Sequence, residues 1–472
     1  MDGCVLVEME AMLDEPGNGR SQEEIKTSIY KVPSLISNGN VKAYQPRVVS
    51  FGPYHNGEPH LAMMEAHKKH TLSNYIQRSR RTMKETMKDI FDSVKKMAPE
   101  LMASYDSLPP MCPKNIDKFV KLMILDGCFM LEVLNVYQCE DYYSENDPIF
   151  SRHGEFNVMH LIRTDMLTLE NQLPMSLLLE LKKCILENDD EPDIEDLNAD
   201  ILWFLNNDGQ DLSNNPLGEC LHVLDLYHES LLLHRDNEHE NAGPQSPDQG
   251  AAPPMSRSRS PPQCPDQGAP QSPDQGAPQG PDQGQRKKKT SGHNVVRPAT
   301  ELRESGVHFE KSEHKDLTDI TFDPKGGVLK LPKFIVDDST ESIFLNLIAF
   351  ERCHPPASSD ITSFVEFMDH IIDDGQDIKL LSSKGIIDNF IGTDKEAADL
   401  FNRMSKGSGF AMNDKLLKAY DALIKYSNKH RNKWRATLFH THFKNPWAII
   451  SLIAAIILLS LTAVQTFFTI RS

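Results

Sequence analysis

Residues 447–470 read WAIISLIAAIILLSLTAVQTFFTI and contain no charged side chain. A helix needs about 20 mostly apolar residues to cross about 30 Å of hydrocarbon, so the run predicts a transmembrane helix over 446–470. Pro446 suits its first turn and Trp447 the headgroup level, which makes these two the expected anchor residues and membrane lipid the expected partner of this helix. Lys425, Lys429, Arg431, Lys433, Arg435 and Lys444 precede the run and only Arg471 follows it. That asymmetry predicts a single-pass protein with its bulk on the cytosolic side of a plasma or internal membrane. The absence of any Asn-x-Ser/Thr acceptor in the chain agrees with this.

A second composition break lies in the middle. Over 241–296 the chain is dominated by Pro, Gln, Gly, Asp and Ser, with PDQG at 247, 265, 273 and 281. Such a segment buries too little apolar area to offset its ordering entropy, so it is expected to be a disordered linker. It divides the chain into a variable tail (1–27), an N-terminal half (28–240), the linker (241–296), a C-terminal half (297–443) and the terminal helix. With 472 residues, 39% of them apolar, the chain is long enough for one large or two ordinary domains with cores. The net charge of −18 argues against nucleic acid as a partner, because phosphate neutralisation needs clustered cations. The eight cysteines are scattered without a CxxC pair, which reads as reduced thiols.

The expected fold class is mainly α, with one small β-hairpin in the C-terminal half and the transmembrane helix. Residues 118–134 (KFVKLMILDGCFMLEVL) are apolar on nearly all faces, with Asp126 the one buried-looking acid, and predict a central helix. Residues 57–94 read as one long amphipathic element. LGECLHVLDLYHESLLL closes the first half, its His222 and His228 reading as helix-surface or capped core groups. In the second half, RPATELRESGVHFEK predicts a short helix stopped at Gly306, and DITFDPKGGVLKLPKFIVDD a hairpin around PKGG. Asp338 and Glu341 form a candidate capping box, and a further helix opens near Asn413 and continues through the basic stretch.

Several stretches, taken together, resemble a plant family known as domain of unknown function 247: IYKVPSLISNGNVKAYQPRVVSFGPYHNGEPHL, LDGCFMLEVL, LENQLP, ATELRESGVHF, IDNFIGTDKEAADLFNRM and FKNPWAIISLIAAIILLSLTAVQT. The resemblance runs over roughly residues 28–470. It implies a mostly helical, membrane-associated plant protein without an assigned activity, and some grass members resemble self-incompatibility determinants of pollen–stigma recognition. The PDQG linker interrupts the family pattern, and Thr168 stands where an apolar residue is usual.

Chemistry is sparsely signalled. FGPYHNGEPHLAMMEAHKKH gathers His55, His60, Glu65, His67 and His70, and TLENQLP adds Glu170. His55, His60, Glu65 and Glu170 form the candidate functional cluster. A metal site there lacks the HExxH spacing and needs a further ligand, so no metal and no cofactor is expected. No GxSxG, GxxxxGK[ST] or GxGxxG occurs, and no catalytic residue is assigned. In LENQLP, Asn171 as a cap, Pro174 in the first turn and Glu170 near the N-terminal amides describe the start of the helix PMSLLLELKK. The first functional reading is therefore a membrane-anchored recognition or signalling protein that binds an unidentified protein partner. The alternative is a metal-assisted or other hydrolytic enzyme using the His/Glu cluster.

Overall fold

The computed structural model describes residues 27–37, 40–77, 82–109, 115–136, 143–185, 193–206, 216–232, 296–314, 316–407, 412–429 and 446–471. By its contacts the chain divides into residues 1–235 with 296–472, and residues 236–295. The second unit, and with it nearly all of the expected linker, lies outside the described residues. So does the basic stretch 430–445 and the tail before Thr27.

The N-terminal half is built from α1 (Ala62–Gln77), α2 (Met83–Ala103), α3 (Ile116–Leu134), α4 (Arg152–Met166), α5 (Met175–Ile185), α6 (Ile194–Asn206) and α7 (Val223–Ser230). The single long element expected over 57–94 is two helices, because Thr82 accepts a hydrogen bond from the Glu85 amide and so caps a new start. Helix α3 is central, as its sequence predicts: every residue from Asp126 to Leu134 is buried, against α1, α2, α5 and α6. Gly127 lets α5 approach closely, since a Cβ there would run into a methyl of Leu181.

The C-terminal half begins with α8 (Ala299–Glu304), which stops at Gly306 in the left-handed region. The strands β1 (His308–Lys311), β2 (Thr321–Asp323) and β3 (Val328–Leu331) follow. β2 and β3 pair antiparallel across Pro324-Lys325-Gly326-Gly327, where the alternating pattern places a hairpin. The pattern did not reveal that β1 adds in parallel to β3, giving the order β1-β3-β2. It also did not reveal that β4 (Phe334–Val336) pairs in parallel with β5 (Ile387–Asn389). Both additions are long-range pairings without a local turn signal. Around the strands lie α9 (Thr340–Cys353), α10 (Asp360–Ile371), α11 (Gly375–Ser383), α12 (Asp394–Met404) and α13 (Asp414–Ser427).

Asp338 is not the cap of α9. Asp337 takes the Ser339 and Thr340 amides instead, at 2.9 and 3.0 Å. Asp374 and Thr393 form true capping boxes with Asp377 and Glu396. Helix α13 ends at Ser427 with Asn428 as C-cap and does not continue through the basic stretch as one described element. One hydrophobic cluster runs through both halves, with Phe51, Phe129 and Leu178 from the first and Phe350, Phe364 and Phe401 from the second.

The expected fold class is corrected at the C-terminus. Pro446–Arg471 forms a helix, α14, yet among the described residues no helix is long and apolar enough to cross a membrane. Ser451, Ser460, Thr462, Gln465, Thr466 and Thr469 break its apolar run. The hydroxyls of Ser460, Thr462, Thr466 and Thr469 return to carbonyls one turn earlier. The single-pass, cytosol-facing localisation is therefore not supported. The anchor role of Pro446 and Trp447 loses its basis with it.

Candidate functional site

Residues 45–55 carry no helix or strand, so their amides need partners elsewhere. Three buried side chains supply them. Asp165, at the end of α4, accepts from Arg47 N at 2.7 Å through one carboxylate oxygen and from Val48 N and Val49 N at 2.7 and 2.9 Å through the other. Asn171 accepts from Phe51 N at 2.6 Å and donates to Val49 O at 3.0 Å, as a neighbouring strand would. Asp126 of α3 accepts from Gly52 N at 2.8 Å. Burial pushes the Asp165 carboxyl up to about 6, against the pull of the three amides that hold its charge.

Beneath this strap lies a buried ion pair. Lys68 of α1 is fully buried and places its ammonium 2.7 Å from Asp126, 2.5 Å from Glu65 and 2.5 Å from Ser50 O. Ser50 Oγ donates to Glu65 at 2.9 Å. Burial raises Asp126 to about 6 while Lys68 pulls it down. This unit ties α1, α3 and the strap together, and a buried pair of this kind is strongly destabilising only when one partner is removed.

His55 sits at the far end of the strap. Its Nδ1 is 2.7 Å from Glu58 Oε1, and its Nε2 is 3.4 Å from Glu170 Oε2, an ion pair rather than an aligned hydrogen bond. Burial pulls the imidazole down, and the Glu170 and Glu58 carboxylates together raise it above its ordinary value. Glu58 also lies 3.5 Å from His60 Nδ1, while His60 Nε2 donates to Pro46 O at 3.1 Å. Glu170 accepts from Val32 N at 2.7 Å and so fixes the N-terminal segment. Of the four expected cluster residues, the fold thus brings together His55, His60 and Glu170, through Glu58. Glu65 belongs to the Lys68 unit instead. Glu58 carried no sequence signal beyond its place in a turn.

The rest of LENQLP is spent on backbone. Gln172 Nε2 donates to Met166 O and Thr168 O at 2.7 and 2.8 Å, closing the end of α4, and its Oε1 accepts from Leu224 N at 3.0 Å. Asn171 does not cap α5, the role expected of it. It holds the strap and Asp165 O.

His222 and His228 are fully buried, which is the core alternative of the two expected and not the helix-surface one. His222 caps α7, its Nδ1 accepting from Asp225 N and its Nε2 donating to Ser28 O, both at 3.1 Å. Burial lowers it to about 3, so it is neutral. His228 lies 3.0 Å from Glu351 and 3.1 Å from Glu229, and although burial works against its charge these carboxylates raise it to about 9.

Among the described residues no group of three or more His, Cys, Asp and Glu could hold a metal ion. Cys128, Cys184, Cys220 and Cys353 are free thiols, raised by burial. A cleft of about 440 Å³ lies between the strap and α9, lined by Asn40, Lys42, Arg47, Asp338 and Glu341, and does not include His55 or Glu170.

A family profile described as "plant protein of unknown function", DUF247, matches residues 29–461. The chain belongs to that family. This DUF247 chain is 27% identical to the UPF0481 protein At3g47200 of Arabidopsis thaliana, over 94% of its own length and 86% of the relative's. It is 23% identical to the putative UPF0481 protein At3g02645 of the same plant, over 98% of its own length and 94% of the relative's. No solved structure matches it. The family match spans the strap, both halves and the LENQLP loop, so the polar framework lies inside the DUF247 region.

Proposed function

We propose that this DUF247 protein acts by binding another protein and performs no chemistry of its own. The observation that carries this reading is the use made of its most reactive-looking side chains. Asp126, Asp165, Glu170, Asn171 and Gln172 are all engaged with the chain's own backbone, which is what a rigid recognition scaffold needs. The surface contributes exposed large apolar groups, among them Ile335 on β4 and Phe390 just past the end of β5, 50% and 72% exposed. Apolar groups left side by side in water are characteristic of contact surfaces. Pollen–stigma recognition, which some grass members of the family resemble, is one setting in which such a protein would act.

The test places a photo-crosslinking amino acid at position 390 and, as control, at the exposed Lys395, in plant tissue expressing the full chain. A discrete crosslinked protein from position 390 alone is expected. Equal, diffuse labelling from both positions would remove this surface. A Glu170→Gln chain that folds fully and crosslinks normally yet loses its biological effect would overturn the reading in favour of an enzyme.

A further inference from the structure

The contacts between the two halves are specific and buried. Asn346 of α9 donates to Ala43 O at 2.7 Å and accepts from Leu169 N at 2.8 Å, so one fully buried amide reads two backbone segments of the other half. Ser342 donates to the same Ala43 O at 2.8 Å. One turn after Asn346, Phe350 meets the rings of His222 and His228 at 5.2 and 5.8 Å. Next to it Glu351 pairs with His228 at 3.0 Å, with both side chains out of solvent. Glu351 also takes the Ile361 and Thr362 amides that open α10, so the pair fastens α7 to two helices of the second half. Tyr30 Oη lies 3.1 Å from His354 Nδ1, and Leu317 N donates to Leu231 O at 3.1 Å.

None of these contacts uses residues 233–295, which join the halves covalently. A covalent link raises the local concentration of one partner around the other, to the order of millimolar when it is short and flexible. Satisfied buried polar groups and a shared apolar core are what make an interface specific in trans as well as in cis. We propose that the face of the N-terminal half formed by Ala43, Leu169, His222 and His228 is a docking surface for the C-terminal half of this chain supplied on a separate polypeptide. A chain cut between residues 232 and 296 then remains one folded, two-chain complex, held chiefly through α9.

The experiment inserts a site-specific protease sequence after Gly268 in the full chain, cuts it, and runs native size exclusion at about 1 µM, well below the effective concentration of the tether. Both fragments are expected to elute together at the volume of the intact chain, with a melting temperature that becomes dependent on protein concentration. Fragments that separate or precipitate would overturn the proposal. A second chain carries Asn346→Ala and Glu351→Gln and is used only if circular dichroism shows it folded before cutting. After cutting, its fragments should separate at concentrations at least tenfold above those at which the unsubstituted fragments do. Equal retention in the two cut chains would show that association does not run through this surface.

Discussion

Asn171 shows how little of a residue's work a local pattern reveals. Its place before Pro174 and an apolar run is a sound signal for a helix start, and α5 does begin at Met175. Its hydrogen bonds, however, go to Val49, Phe51 and Asp165, and no periodicity encodes a partner more than a hundred positions away. Asp126 was legible as a buried acid because it interrupts an apolar helix. Lys68 was not, since it stands among other cations in HKKH and only the fold shows which of them turns inward. Asn171→Ala leaves the Phe51 amide and the Val49 carbonyl unpaired, while Asp165 O keeps the Thr168 amide. With each orphaned group costing about 1–3 kcal/mol, a loss of about 2 kcal/mol or more is expected. Urea denaturation at neutral pH would show it as a lower midpoint with an unchanged slope.

The helices were the most readable elements. Their apolar spacing and the Gly306 stop are local, so α3 and α8 lie where the sequence puts them. The hairpin was equally readable, because its turn and both strands fall within a dozen residues. The parallel partners β1 and β5 were not, because their pairing is decided by packing rather than by a turn. Close approach of helices belongs to this scale too. Gly127 sits where α3 meets α5, and a methyl placed there meets Leu181. Gly127→Ala gains helix propensity of about 1 kcal/mol and is set against overpacking of about 1–3 kcal/mol. A net loss of stability is expected, and Gly127→Ala combined with Leu181→Ala should recover part of it. A double-mutant cycle of unfolding free energies would detect the coupling.

For the molecule as a whole, two buried histidines set opposite limits on pH. His228 has its folded value raised to about 9. Its contribution is complete below the unfolded value of about 6.5 and is lost as pH rises through about 9. His222 is lowered to about 3, so it contributes above about 6.5 and costs stability as pH falls toward 3. Denaturant midpoints should therefore peak near pH 6.5 as far as these two groups decide. His228→Gln should flatten the alkaline limb and His222→Asn the acid limb. The joining of the halves through these histidines was invisible in the sequence, where a compositional break suggested separate bodies and nothing hinted at Asn346 or Glu351. The C-terminal run, the loudest signal in the chain, was read on its length and its lack of charge. Among the described residues no helix is long and apolar enough to cross a membrane.

The grip of Asp165, Asn171 and Asp126 on residues 47–52 acts on amide hydrogens and ignores the side chains that carry them. Such a segment is free to drift in sequence at its solvent-facing positions, provided that every gripped position keeps its N–H. At Arg47 and Val48 the residue it cannot accept is proline, and Pro46 and Pro53 stand just outside the gripped amides at either end. Val48→Ala should be nearly silent and Val48→Pro should abolish folding, a contrast readable in the yield of soluble, protease-resistant chain. Within this segment only Arg47 is exposed and Val48 half-buried, so the freedom to vary over a fixed backbone is confined to those two positions.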